Sequence, residues 1–150
     1  MAKRSIITKE NPLLRKKCKE VTKFDDSLAM LLDDMTETMF HADGAGLAAP
    51  QVGILRRIFV ISVDGLTCEF INPVMVKQEG AIVGQEACLS VPKEYGYVER
   101  PKTVTVRAQN RNGEPFEITV SNYAARVICH EYDHLDGILY IDKLTDKKEK

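Results

Sequence analysis

The stretch His130-Glu-Tyr-Asp-His134 constrains this 150-residue chain more than any other part of it. Residues four apart on a helix lie on one face, a turn from each other, so the two imidazoles can converge on a single ion. Glu131 follows the first imidazole directly, near enough to touch a water on that ion without binding the ion itself. Two nitrogen donors and a carboxylate base are parts of a metal-assisted hydrolase. The plainer alternative is a solvated helical face that carries them by chance. Val127, His130, Glu131 and His134 share one face, however, and Ala124, Ile128 and Leu135 form an adjoining apolar stripe, so the helix is predicted to turn this face inward. Ser121 or Asn122 can cap its start, and Gly137 is placed to stop it after Asp136.

The rest of the chain supplies elements to pack around such a helix. Arg57–Val63 and Leu66–Ile71 are β-rich runs joined by Asp64-Gly65, a strong hairpin signal, and Cys68 within the second run is predicted to be packed. Val74–Lys77 is predicted to add another strand. Thr103–Ala108 and Phe116–Val120 alternate cleanly about the turn Asn110-Arg-Asn-Gly113 and form a second hairpin. Upstream, Asp25 and Asp26 offer N-caps, and Leu28, Leu31, Leu32, Met35 and Met39 recur at helical spacing opposite Asp33, Asp34 and Glu37. This amphipathic helix should end near Gly44, with His41 in its last turn suiting the helix dipole rather than a metal. Asn11–Val21 shows no clear period and should wrap the surface, leaving Cys18 exposed. Ile138–Ile141 resembles a short strand, and Lys147–Lys150 a solvated tail. The fold class is therefore α+β, with antiparallel or mixed β-sheets around a central C-terminal metal-binding helix and an N-terminal amphipathic helix. Residues 1–150 are expected to form a single domain.

Bulk properties exclude several function classes. A formal net charge of -1 gives no overall electrostatic reason to expect nucleic acid, and 44% apolar with 29% charged residues is globular composition. No apolar run approaches the ~20 residues that span a bilayer, and Met1-Ala-Lys-Arg-Ser leads into no signal-like segment. A soluble, cytoplasmic protein is expected, and its four cysteines, Cys18, Cys68, Cys88 and Cys129, read as thiols.

A hydrolytic metal normally has three protein ligands and one open position. Downstream of His134 there are carboxylates but no His or Cys, which argues against an ordinary zinc protease. Cys129 precedes His130, and a rotation of about 100° per residue points it away from the ligand face. Cys88 is the better choice, because it lies in a loop-like segment between sheet elements with the Leu89 amide beside it. One thiolate and two imidazoles suit either iron(II) or zinc. Gly44–Gly53 superficially satisfies a dinucleotide fingerprint, but it follows a helix and meets Pro50, so the context is wrong. Its small residues suggest close approach of backbone to another group, with Gln51 as the side chain able to donate hydrogen bonds.

Three stretches together resemble the peptide deformylase family. Gly44–Gln51 looks like the family's Gly-x-Gly-Leu-Ala-Ala-x-Gln, Glu86–Ser90 like Glu-Gly-Cys-Leu-Ser, and His130–His134 like His-Glu-x-x-His, in the same order. Pro12-Leu-Leu-Arg15 is similar to the family's opening, so the resemblance covers nearly the whole chain. It implies removal of the formyl group from the N-terminal formylmethionine of newly made polypeptides, with release of formate. It further implies that Cys88, His130 and His134 hold one divalent metal, commonly iron(II), with zinc, nickel or cobalt able to substitute. Glu131 would move the protons, and the Leu89 amide and Gln51 side chain would face the developing oxyanion. Gly46 would let a peptide backbone lie close, and Tyr123 and Val127 would help wall a methionine pocket. Formylmethionyl nascent peptides are the implied partner, met near the ribosome exit region, with no membrane involved.

The chain departs from the family pattern at Ala87, where Gly is usual. If that position needs a positive φ, Ala costs on the order of 1 kcal/mol. Cys129 stands where Gln is frequent, and the chain stops soon after Gly137. Two other readings share the same parts: a different metal-dependent amidase or peptidase, and a non-catalytic peptide-binding relative. Intact Glu131 speaks against the second.

Overall fold

Residues 2–147 are described by a computed structural model. Its backbone runs α1 (Asp26–His41), β1 (Gly46–Ala48), β2 (Ile58–Val63), β3 (Leu66–Glu79), β4 (Ile82–Cys88), β5 (Val91–Arg100), β6 (Thr103–Gln109), β7 (Pro115–Ser121) and α2 (Tyr123–His134), with short 3-10 helices at Pro12–Arg15, Ala49–Val52 and Tyr140–Lys143. Five strands form one sheet in the order β1-β2-β3-β6-β7, and β4 pairs with β5 in a second. Every pairing of these strands is antiparallel. The Lys147–Lys150 tail falls largely outside the described residues. Among the described residues no helix is long and apolar enough to cross a membrane.

The larger sheet is covered on both faces, and β2 shows why. Its run Ile58-Phe-Val-Ile-Ser-Val is apolar at nearly every position because successive side chains point to opposite faces. Phe59 and Ile61 join Phe70, Val104, Val106, Ala125 and Ile128 under α2. Ile58 and Val60 pack with Leu28, Leu32, Met35 and Met39 under α1. A smaller cluster of Leu14, Val91, Val98, Leu139 and Tyr140 backs the two-stranded sheet. Thus α2 lies between the two sheets, and its buried residues run almost continuously from Ala125 to His134.

Both predicted hairpins form. Asp64 and Gly65 adopt φ of 52° and 80°, the left-handed pair that a two-residue turn between twisted strands requires. The Asp25 carboxylate caps α1, accepting from the Leu28 N–H at 3.0 Å. Asn122 stands at the start of α2 as expected, but with φ of 61° and no side-chain cap bond.

Several expectations are corrected. Val74–Lys77 is not a separate strand: β3 continues through it past two register shifts. Val91–Arg100, given no element by sequence reading, is the long strand β5. Tyr140–Lys143 is a helical turn, not a strand, closed by the Asp142 carboxylate accepting from the Leu139 N–H. Asp34 does not face solvent; the Ala2 N–H and the Arg4 guanidinium bond its carboxylate and hold it below the usual range. Cys18 is buried, not exposed, because its backbone N–H bonds the Leu135 carbonyl and the side chain turns into the core, where burial pushes the thiol up to about 11.

The same N-terminal segment constrains the turn at the end of α2. Gly137 has φ of 76°, and a Cβ there would come within 2.5 Å of the Arg15 carbonyl oxygen. Gly53 has a similar φ of 82° with nothing within 4 Å. Gly53→Ala should therefore cost about 1 kcal/mol for the backbone alone. Gly137→Ala should cost about 2–4 kcal/mol once the contact with Arg15 is added. Urea midpoints of the two variants measure the difference, and equal losses would contradict this account of Gly137.

Candidate metal centre and active site

Three elements bring the donors together. Cys88 ends β4, at a strand terminus rather than in the loop-like segment expected, and His130 and His134 lie one turn apart on α2. Among the described residues these three form the one group of side chains arranged to hold a metal ion, with ligand atoms all within 4.8 Å of one another. Cys88 Sγ lies 3.5 Å from His134 Nε2. Bonds of about 2.3 Å to sulfur and 2.0–2.1 Å to nitrogen at a tetrahedral angle require a separation of about 3.5 Å. The donor set therefore fits a divalent cation. Cys129, on another face of α2, is buried in the core, where burial pushes its thiol up to about 11, and it does not join the group. His41 is exposed at the end of α1 with Lys3 Nζ 3.3 Å from its Nε2, far from any such arrangement.

Each imidazole is set differently. The Glu86 carboxylate accepts from His130 Nδ1 at 2.9 Å, which fixes the tautomer and leaves Nε2 free to bind. Burial works against a charge on His130, but Cys88 and Glu86 outweigh it and raise its pKa to about 10. His134 Nδ1 is buried without a hydrogen-bond partner.

Glu86 belongs to a buried ion network that sequence reasoning missed. Arg100 grips it with Nε at 2.8 Å and Nη2 at 3.0 Å, and Arg126 donates to it at 2.7 Å. Arg100 also donates to Asp133 at 2.7 Å. Burial acts to raise the Glu86 pKa, but the bonds from His130 and Arg100 prevail and lower it to about 2. The two carboxylates are thus paired with two guanidiniums, with the Lys143 ammonium also 3.1 Å from Asp133, so no charge of the network stands alone. The sequence hints were the position of Glu86 two residues before a candidate ligand and its place at the head of the Glu86–Ser90 motif.

Glu131 is 4% exposed, and its Oε1 is buried with no partner. Burial, the largest influence, pushes its carboxyl up to about 7, a value suited to a base working near neutral pH. Gly46 lies against it: a Cβ there would stand 2.6 Å from Glu131 Oε2. Its missing side chain makes room for the carboxylate.

Gly46, Glu86, Cys88, Arg126, His130 and Glu131 line a cavity of about 430 Å³ that also includes Gly44, Gln51, Leu89, Tyr123 and Val127. Gln51 is locked at its floor. Its Oε1 accepts from the Ala48 N–H at 2.9 Å, and its Nε2 donates to Ser90 Oγ at 3.1 Å and towards Cys88 Sγ at 3.7 Å. Tyr123 is 57% exposed and Val127 buried, so the two span the cavity from rim to interior. Every site residue read from the sequence borders this one space or the donor group. Ala87 is not among the positive-φ residues, so the strain considered for an Ala there does not arise.

A family model described as polypeptide deformylase matches residues 3–150. The peptide deformylase of Caldicellulosiruptor bescii is 52% identical over 144 residues, 96% of this chain and 87% of that protein. The peptide deformylase of Clostridium botulinum is 50% identical over 147 residues, 98% of this chain and 100% of that protein. The crystal structure of peptide deformylase from Thermotoga maritima matches with a TM-score of 0.95 at 44% identity, covering 97% of this chain and 99% of that one.

The contact at Gly46 gives a direct test of how the base is positioned. Gly46→Ala should displace the Glu131 carboxylate and lower kcat at least about tenfold, since misplacements of 1 Å can cost far more. Metal content should stay at the wild-type level. Wild-type turnover in this variant, measured by product release, would contradict the positioning.

Proposed function

The chain belongs to the polypeptide deformylase family, and on that premise we propose how its own residues carry the reaction. Its activity is that of a peptide deformylase: hydrolysis of the formamide bond at the N-terminal formylmethionine of newly synthesised polypeptides, releasing formate. The observation that carries the residue-level reading is the convergence of Cys88, His130 and His134 within 4.8 Å at the cavity that Glu131 lines. We read residues 1–150 as one catalytic unit, in keeping with a family match that spans 3–150.

In this proposal Cys88, His130 and His134 hold one divalent cation, iron(II) in the cell, with zinc, nickel or cobalt able to replace it. Bound there, the cation supplies a Lewis acid that lowers the pKa of water towards ~7 and polarises the formyl oxygen. Glu131, poised by burial, takes a proton from the attacking water. It then delivers that proton to the amine nitrogen as the C–N bond breaks, so that formate and a free N-terminus leave. The Leu89 amide and Gln51 Nε2 face the oxygen on which charge develops, each donor contributing about 3–4 kcal/mol when well placed. The Gln51 proton that leans towards Cys88 Sγ is the one aimed at this spot. Tyr123 and Val127 wall the methionine side chain. We assign the protein to the cytoplasm, a reducing compartment that suits its four free cysteines, and place its encounter with substrate at the ribosome exit region.

Glu131→Ala should keep its metal while formate release from a formyl-Met peptide falls to background; an unaltered rate would sink the proton-transfer role. Cleavage of internal peptide bonds, assayed alongside, should be absent, whereas a general peptidase would show it. For the ligand set, elemental analysis of anaerobically purified protein should find metal sharply reduced in Cys88→Ser and unchanged in Cys129→Ser. The reverse pattern would mean that the wrong thiol has been assigned.

A further inference from the structure

The two donors assigned to the developing charge sit on separate pieces of chain. Gln51 belongs to the 3-10 turn Ala49–Val52, which follows β1, and Leu89 to the turn between β4 and β5. They act on one oxygen only while those two turns keep a fixed separation. Among the described residues no backbone hydrogen bond runs directly from one turn to the other. The N-terminal segment supplies the link. Ile7 donates its N–H to the Gln51 carbonyl at 2.8 Å, and Lys9 donates its N–H to the Ser90 carbonyl at 2.9 Å. The segment is itself anchored: the Ala2 N–H bonds the Asp34 carboxylate and the Arg4 N–H bonds Thr38 Oγ1, both on α1 and both at 2.8 Å. Ile6 packs against the apolar cluster under α1 and Ile7 against the one behind the two-stranded sheet, so neighbouring side chains bridge the two cores.

Given the oxyanion roles of Gln51 and Leu89 read above, on which this rests, we propose that Ile6–Lys9 is a strap that sets the separation of the two donors, with Ile7 and Lys9 as positioning residues acting through their backbone N–H groups. Of its two bonds, one ends on Gln51 itself and the other on the residue next to Leu89. Buried side chains cross the same gap. Gln51 Nε2 gives one proton to Ser90 Oγ at 3.1 Å and keeps the other for the oxyanion, so drift of the Ser90 turn swings the Gln51 amide off its target.

Lys9 allows the backbone role to be isolated. Its side chain is exposed and reaches Glu94 on β5. It is also the second residue of a β-turn closed by the Asn11 N–H on the Thr8 carbonyl at 2.8 Å, the place in a turn that proline favours. Lys9→Pro therefore removes the donor to Ser90 while suiting the turn, and Lys9→Ala removes the side chain while keeping the donor.

The test is steady-state deformylation of a formyl-Met peptide by the full-length, metal-loaded protein. Lys9→Pro should lower kcat at least about tenfold with KM changed less than about twofold, while Lys9→Ala stays within about twofold of wild type. Metal content should equal that of wild type in both. Gln51→Ala should fall about 100-fold, and Lys9→Pro added to it should cost at most about threefold more, because one of the two donors is no longer there to misplace. In zinc-loaded protein the Gln51 side-chain amide protons, followed by NMR, should exchange with solvent faster in Lys9→Pro than in Lys9→Ala. An ester in place of the Ile7 amide, introduced by ligating synthetic residues 1–17 to residues 18–150 at Cys18, keeps every side chain and should lower kcat likewise. Lys9→Pro or the Ile7 ester at wild-type kcat beside a slow Gln51→Ala, an equal cost of Lys9→Pro in both backgrounds, or loss of metal would each overturn the strap alone. Gln51→Ala at the wild-type rate would overturn the oxyanion reading and the strap with it, so the two failures are distinguishable.

Discussion

One carboxylate, that of Glu86, joins the elements that make the site. It sits near the end of β4 and accepts from Arg100 on β5 and from both Arg126 and His130 on α2. The two-stranded sheet and the helix therefore meet at a single buried anion. Removing it from water is costly, and the structure offsets that cost with four hydrogen bonds from three donor residues, two of them permanently charged. Arg100 extends the network to Asp133, so the polar side of α2 is held at Arg126, His130 and Asp133 in succession.

The catalytic arrangement rests on that anchorage. The five-stranded sheet presents Phe59, Ile61, Phe70 and Val106 to one side of α2, which fixes the helix in depth. The Glu86 network fixes its rotation from the other side. Together they turn the His130 and His134 imidazoles towards Cys88 at the strand end and leave Glu131 buried against Gly46. The same burial that would be a liability for an ordinary surface glutamate raises the pKa of this one to the range where it can both take and give a proton. Stability and chemistry thus draw on the same low-dielectric environment.

The parts legible in the sequence were those encoded locally. Asp64-Gly65 and the alternation of Thr103–Ala108 announce hairpins without reference to anything distant, and the four-residue spacing of His130 and His134 announces a shared helical face. Cys88 was legible as the third donor from the lack of ligands after His134, whereas the oxyanion roles of Gln51 and Leu89 became legible only through the resemblance to family motifs. What escaped was non-local. The partners of Glu86 lie 14, 40 and 44 positions away, so no short window of sequence contains the network. Strand β5 was overlooked because much of it is exposed, with Lys93, Glu94 and Gly96 interrupting any period. Cys18 was misread because a charged neighbourhood says nothing about which way one side chain of an extended segment turns.

We propose that the Glu86 carboxylate, together with Cys88, His130 and His134, organises the candidate metal site. The most direct test is the iron(II) or zinc affinity of Glu86→Gln, measured by competition with a chromogenic chelator in protein shown to be folded. The substitution keeps the shape of the side chain and removes the charge that orients His130 and balances Arg100 and Arg126. Affinity should fall about 10–100-fold, the range typical when a partner of a metal-bound histidine is lost. Affinity equal to that of the unaltered chain would show that the three donors are organised without it and would contradict the account.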